Sequence, residues 1–191
     1  ISDADYLIAF GGRGSGKTDT MYTKNILLTF LNQYIKIIYV NKIKANIRSN
    51  QYSGFKEKIK HLGLEEFFTF YEGDYRIKNK LTGNWMLPKG MDDSEKTKGL
   101  DNPTHIWYDE ITDETEEGFK TLNKLLRTPK VKKPQFMMSF NPVSEEHWIR
   151  KFFFDKDNAY KIKDELKDKV FCHHSTYLDN DFINHEDYYS R

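Results

Sequence analysis

Residues 11–18 read Gly11-Gly12-Arg13-Gly14-Ser15-Gly16-Lys17-Thr18 and match the phosphate-binding pattern G-x-x-x-x-G-K-[ST]. An apolar run at residues 6–10 immediately precedes the match, and a helical pattern follows it. A strand that enters a helix through such a loop points several backbone N–H groups and the positive end of the helix dipole at one anion. The stretch therefore predicts a nucleotide phosphate-binding loop, in preference to a chance glycine-rich hairpin.

The side chains of this loop have separate expected tasks. The glycines let the backbone curl around phosphate oxygens, where a Cβ would block the approach. Lys17 is expected to reach the β and γ phosphates, and the Thr18 hydroxyl to hold Mg²⁺. Arg13 is the first choice for stabilising the charge that develops on a transferred phosphoryl group. Three other arginines could act instead across a subunit boundary in a ring, although a surface position explains each more simply: Arg48, Arg127 and Arg150.

Composition limits the classes of protein that fit the chain. Its 191 residues include 30 Lys and Arg against 29 Asp and Glu, so the net charge of +1 indicates neither nucleic acid nor membrane as a partner. The mean hydropathy of -0.78 and the short apolar runs argue against a membrane span. The single cysteine, Cys172, excludes an intramolecular disulfide and fits a reducing compartment.

Strand and helix patterns alternate along the chain. The strands fall at 6–10, 35–40, 104–108, 135–140 and 170–174, and the helices at 17–31, 54–62, 114–126 and 145–154. In the first helix, Met21, Leu27, Leu28 and Leu31 are predicted to face the core. Short alternating segments predict a small antiparallel insertion around residues 67–88. The pattern predicts a single α/β domain over residues 1–191, a P-loop NTPase of the RecA-like (ASCE) class with a parallel sheet flanked by helices.

Two adjacent acids, Asp109 and Glu110, close the strand at 104–108. Asp109 is expected to hold Mg²⁺, and Glu110 to polarise the water that attacks the γ phosphate. We expect the strand at 135–140 to lie between the loop strand and this acidic strand. Asn141, with Ser139 as second choice, would then sense the γ phosphate or orient the water, although Asn-Pro is also an ordinary way to leave a strand.

Two other clusters contain residue types that bind metals, but neither is predicted to form a site. His173 and His174 are adjacent, so on a strand they face opposite sides and cannot chelate one ion together. The carboxylates near the end of the chain could form a two-metal nuclease site, but solvent exposure explains them more simply. They are Asp179, Asp181, Glu186 and Asp187.

Taken together, these residues resemble the ATPase domain of the large terminase subunit of tailed bacteriophages and prophages. The likeness extends over residues 11–18, 61–64, Gly90 with Asp92 and Asp93, 96–99, 108–110, 139–142 with Trp148, and 176–180. The resemblance implies a Mg²⁺-dependent ATP hydrolase that drives double-stranded DNA into a procapsid. It implies assembly as a ring on the portal protein, a small terminase subunit as partner, and a location in the bacterial host cytoplasm. It assigns the loop arginine to Arg13, the acids to Asp109 and Glu110, and the coupling segment to 139–141.

The chain departs from this family in two places. Only five residues precede Tyr6, so the residues that contact the base cannot be assigned, and we expect the natural N-terminus to be missing. The segment after Tyr177 is too short for the C-terminal nuclease domain of large terminases. We therefore expect an isolated motor domain that hydrolyses ATP and does not cut DNA.

Three other functions also fit the sequence. A nucleoside or nucleotide kinase shares the loop but passes the phosphoryl group to an acceptor. The other two are another DNA-translocating P-loop ATPase and a module that holds nucleotide without turnover. DNA contact would be non-specific. The basic stretch that could touch DNA phosphates, or else form a solvated helix face, comprises Lys42, Lys44, Arg48, Lys56, Lys58 and Lys60.

Overall fold

The computed structural model describes residues 4–92 and 100–181. The described strands are β1 (Tyr6–Gly11), β2 (Lys36–Asn41), β3 (Phe68–Tyr71), β4 (Arg76–Asn79), β5 (Trp85–Gly90), β6 (His105–Asp109), β7 (Gln135–Phe140) and β8 (Val170–Ser175). The described helices are α1 (Lys17–Leu28), α2 (Ser53–His61), α3 (Glu116–Asn123) and α4 (Trp148–Phe153), and a π-helical turn, Arg48–Tyr52, leads into α2. None of these helices is long and apolar enough to cross a membrane.

The strands form one sheet in the order β3-β4-β5-β2-β6-β7-β1-β8. All pairs from β5 to β8 in this order are parallel. The predicted insertion of β7 between β1 and β6 is confirmed, with Met138 opposite both Ile8 and Tyr108. Because the carboxyl ends of neighbouring parallel strands meet at one edge, the phosphate loop, the Asp-Glu pair and Asn141 are brought together.

The central parallel strands, β1, β2, β6 and β7, are buried on both faces, whereas the edge strand β8 is largely exposed. All six residues of β7 are buried, as expected for a central strand covered by helices on each side. One face packs with Phe119 of α3 and Ile149 of α4. The opposite face packs with Met21 of α1 and Phe55 of α2. The sheet is therefore a rigid support between two apolar layers, and the site lies at its exposed edge.

The insertion at 67–88 is part of the central sheet. β3 and β4 pair antiparallel, and β4 pairs antiparallel with β5 as predicted. The other edge of β5 pairs parallel with β2, from Lys36 opposite Trp85 to Asn41 opposite Gly90. Because backbone groups of β5 find partners on both sides, the hairpin extends the sheet and does not stand apart from it.

Helix α1 is shorter than predicted, and its inward face differs at one position. It ends at Leu28, not at residue 31. Met21 and Leu28 are buried, but Leu27 is 48% exposed, so the prediction for Leu27 was wrong. Ile26 is buried in its place. The buried positions 21, 25 and 28 follow the helical period and form the inward face of α1, and Leu27 lies outside that face.

A buried asparagine anchors the end of α1 to the sheet. Asn84 is 4% exposed. Its Oδ1 accepts the backbone N–H of Ile35 at 2.8 Å, and its Nδ2 donates to the carbonyls of Thr29 at 2.9 Å and Leu31 at 3.2 Å. Since these carbonyls are bound by a side chain, the helix has no need to continue through residue 31.

We predict that Asn84→Ala lowers the free energy of unfolding by about 2–4 kcal/mol, because several buried backbone groups lose their partner at once. Urea unfolding followed by circular dichroism measures the change. Replacement of the exposed Asn32 by Ala is the matched control and should change stability by less than about 0.5 kcal/mol. Equal stability of the two variants would contradict the anchoring role.

Candidate nucleotide-binding site

The loop between β1 and α1 needs glycine at particular positions. Gly14 and Gly16 have φ angles of 76° and 78°, in the left-handed region that side chains disfavour. At Gly11, a Cβ would lie 1.8 Å from the carbonyl oxygen of Ser175. The sequence at these three positions is thus dictated by backbone geometry and by close approach to β8.

The loop fits a phosphate group. The Ser15 hydroxyl is buried and has no hydrogen-bond partner among the described residues. Buried polar atoms normally have a hydrogen-bond partner, so we expect this hydroxyl to bind a polar ligand. The first turn of α1 starts at the next residues and adds unpaired N–H groups with the positive end of the helix dipole.

Lys17 points into the site from the start of α1. The residue is 8% exposed. Its Nζ donates to the carbonyl of Gly12 at 3.1 Å and to Oδ1 of Asn141 at 3.0 Å. The ammonium group is therefore held between the phosphate loop and the residue that follows β7.

Asp109 and Thr18 offer oxygen ligands for a divalent cation. The Thr18 hydroxyl donates to Asp109 Oδ1 at 3.4 Å, and the Ser139 hydroxyl donates to the same oxygen at 2.6 Å. Burial raises the pKa of the Asp109 carboxyl, and the bonds from Ser139 and Thr18 and the charge of Lys17 offset part of that rise. A carboxylate and a hydroxyl, completed by water and phosphate oxygens, suit the hard Mg²⁺ ion.

Glu110 sits in a strained conformation beside this pair. Its φ of 53° is left-handed, which costs a non-glycine residue about 1–3 kcal/mol and is typical of functional positions. Asn141 Nδ2 donates to its two carboxylate oxygens at 3.3 and 3.2 Å. Burial and the adjacent Asp109 charge raise the pKa of Glu110, while Lys17 and Arg13 act in the opposite direction. A carboxylate with a raised pKa is a better general base.

The arginines differ in their positions. Arg13 is exposed on the loop, and its charge acts on Glu110. Arg48 and Arg127 are also exposed. Arg150 is only 8% exposed, so a surface position for it was a wrong expectation. Its guanidinium donates within its own subunit to the carbonyls of Asp155 and Lys156, which fixes a turn after α4.

The structure adds a contact that the sequence did not assign. Asn180 Nδ2 donates to the carbonyl of Gly14 at 2.7 Å and so ties the loop to the segment after β8. Asp179, considered above as a nuclease ligand, accepts from the backbone N–H and hydroxyl of Thr176 in a capping box. Residues 176–180 contributed to the family resemblance, which was the only signal for this contact.

A cleft of about 590 Å³ opens beside the loop. Gly16, Asp19 and Thr20 of the loop and α1 form one part of its wall. Asn180 and residues of α2 form other parts. Asp93, residues 96–99, Glu186 and Asp187, named in the sequence analysis, lie outside the described residues.

Two curated relatives are similar to this chain in sequence. The PBSX phage terminase large subunit of Bacillus subtilis (strain 168) is 28% identical over 188 residues, which are 93% of this chain and 43% of the relative. The terminase large subunit of Bacillus phage SPP1 is 26% identical over 182 residues, 91% of this chain and 41% of the relative. The chain thus spans less than half the length of these curated relatives.

Solved structures confirm the predicted P-loop fold. The large terminase of a thermophilic bacteriophage matches with a TM-score of 0.77 and 18% identity, over 98% of this chain and 45% of that chain. The same phage protein in complex with ADP matches with a TM-score of 0.75 and 18% identity over the same shares. A family model described as phage terminase large subunit matches residues 3–190. Because this match covers nearly the whole sequence, the chain belongs to the phage terminase large subunit family.

Proposed function

We propose that the chain is the ATPase motor domain of a terminase large subunit and hydrolyses Mg²⁺-bound ATP to move double-stranded DNA into a procapsid. One observation carries the proposal. Lys17 and Glu110, from distant parts of the sequence, contact the same Asn141 side chain, at 3.0 and 3.2 Å. A phosphate-binding lysine and a carboxylate base therefore meet at one point. Family membership, and the relative solved with ADP, support nucleotide as the ligand.

The residues divide the work of hydrolysis. Lys17 binds the phosphate oxygens, and Arg13 compensates the charge that develops on the transferred group. Glu110 accepts a proton from the attacking water, and Asn141 holds its carboxylate in place. Thr18 and Asp109 would hold Mg²⁺, which when bound neutralises charge on the β and γ phosphates.

We place the nucleoside in the cleft beside Asn180. The catalytic side chains follow β6 and β7, so a triphosphate with its γ end at Glu110 extends past β1 toward β8. Residues 179–181, which follow β8, line the cleft together with α1 and α2, and its volume of about 590 Å³ is ample for a base and sugar. Asp19 in its wall is ion-paired with Lys58, which lines the same cleft. Glu57 and Asp181 add acceptors that suit hydroxyl and amino groups.

The position of Glu110 beside the phosphate loop favours hydrolysis of ATP over phosphoryl transfer to a second substrate. A kinase has little use for a water-activating glutamate at this position. We predict steady phosphate release from ATP with Mg²⁺ and no added acceptor, and no release after chelation of Mg²⁺ with EDTA. A coupled phosphate assay measures it. Release only after a nucleoside or nucleotide acceptor is added would favour the kinase alternative.

We predict that Glu110→Gln lowers the rate of phosphate release at least about 100-fold, because the general base is lost while shape is kept. Nucleotide affinity, measured with a fluorescent ADP analogue, should change little. Glu117→Gln, at an exposed position of α3, is the matched control and should keep full activity. An unchanged rate in Glu110→Gln would indicate a nucleotide-holding module without turnover.

We also propose that the chain contacts double-stranded DNA, the portal protein and a small terminase subunit, and that it acts as a ring docked on the procapsid in the bacterial cytoplasm. Three lysines of the basic stretch are used in ion pairs: Lys42 with Glu114, Lys56 with Glu72 and Lys58 with Asp19. This pairing reduces the positive charge available to DNA on that surface.

We therefore predict weak DNA binding, with a dissociation constant of about 1–100 µM that rises steeply with salt and does not depend on sequence. Fluorescence anisotropy with two unrelated duplexes measures it. The same incubation with Mg²⁺ or Mn²⁺ should leave plasmid intact, since we propose an ATPase role and no nuclease role for this chain. Tight binding to only one duplex, or cleavage of the plasmid, would contradict these two expectations respectively.

A further inference from the structure

A buried tryptophan is linked to the carboxylate that we assign to the metal. Trp107 Nε1 donates to Ser139 Oγ at 3.1 Å, and Ser139 Oγ donates to Asp109 Oδ1 at 2.6 Å. Both Trp107 and Ser139 are 0% exposed. Trp107 and Asp109 are two residues apart on β6, so they share a face of the sheet, and Ser139 lies opposite Asp109 on β7.

The chemistry of the three groups fixes the direction of this chain. An indole N–H can only donate, and a serine hydroxyl has a single proton. Ser139 must therefore accept from Trp107, and its proton is left for Asp109. Within residues 4–92 and 100–181, the indole N–H supplies the bond that the Ser139 oxygen accepts, and so helps to orient the hydroxyl toward Asp109.

We infer that Trp107 is a positioning residue for metal binding: through Ser139 it holds the Asp109 carboxylate in the orientation that receives Mg²⁺. The inference rests on the proposed role of Asp109. It assigns to Trp107 a task that its place in an apolar strand does not reveal.

The indole ring is itself held by two aromatic side chains. Tyr22 of α1 packs edge-to-face on Trp107 with ring centroids 5.0 Å apart, and Phe55 of α2 does so at 5.6 Å. Tyr22 lies four residues after Thr18, on the same face of α1. One helix face therefore supplies both the Thr18 hydroxyl beside Asp109 and a ring that restrains Trp107.

Trp107→Phe separates hydrogen bonding from packing, because an aromatic ring remains and the N–H is lost. We expect the affinity for Mn²⁺, used as a spectroscopic substitute for Mg²⁺ in the protein–ADP complex, to fall about 10-fold. Electron paramagnetic resonance of unbound Mn²⁺ measures it without turnover. ADP affinity in EDTA should stay within about 2-fold, since the loop that binds phosphates is unaltered.

Trp148→Phe is the matched control. Trp148 also donates its indole N–H to a protein oxygen, the carbonyl of Glu114 at 2.7 Å, but it packs with Phe119 on the other face of the sheet. Its Mn²⁺ affinity should remain within about 2-fold of the original value, because no metal ligand depends on it. In a Ser139→Ala background, Trp107→Phe should add little, because the link it acts through is already broken.

Three results would overturn the inference. If Trp107→Phe keeps the original Mn²⁺ affinity while Asp109→Asn binds Mn²⁺ more weakly, the positioning role of Trp107 is wrong and the metal-holding role of Asp109 stands. If the losses of Mn²⁺ affinity in Trp107→Phe and Ser139→Ala multiply in the double variant, the two residues act independently of each other. Unchanged Mn²⁺ affinity in Asp109→Asn would remove the proposed role of Asp109 together with the inference.

A variant that fails to fold does not end the test. The Trp107 indole N–H resonance of the metal-free protein should shift and exchange faster with solvent in Ser139→Ala, because its acceptor is gone. If the resonance and its exchange rate are unchanged in Ser139→Ala, the Trp107 indole does not donate to Ser139.

Discussion

The side-chain amide of Asn141 is the contact on which the proposed site depends. It accepts from the Lys17 ammonium and donates to the Glu110 carboxylate, so it joins the phosphate loop to the acidic strand. This is possible only because β7 runs between β1 and β6 and ends at the same edge. The parallel order of the sheet therefore determines the site, and the apolar layers on both faces keep that order fixed.

The site concentrates charge and strain that the rest of the fold must support. A buried ammonium, two adjacent acids with raised pKa values and a left-handed glutamate are unfavourable for folding on their own. Hydrogen bonds from Ser139, Thr18 and Asn141 compensate part of this cost. Polyphosphate and a divalent cation would supply the remaining opposite charges, which accounts for a site that is preorganised for them.

The sequence was sufficient to predict the loop, the place of β7 between β1 and β6, and the acidic pair at the end of β6. Glycines at left-handed positions, an apolar strand ending in Asp109 and the insertion of β7 all have local signals. Other long-range contacts had no local signal in the sequence. Trp107 looked like an ordinary core residue, and the parallel pairing of β5 with β2 is set by backbone partners far away in the chain. Composition does not fix which face of a helix turns inward, and the sequence therefore misassigned Leu27 to the core.

The most direct test is a crystal structure of the protein with Mg²⁺ and a non-hydrolysable ATP analogue. Our account predicts the γ phosphate within hydrogen-bond distance of Lys17 Nζ, with the ion between Thr18 and Asp109 and a water molecule at Glu110. A triphosphate bound elsewhere, or one whose γ phosphate points away from Glu110, would contradict it.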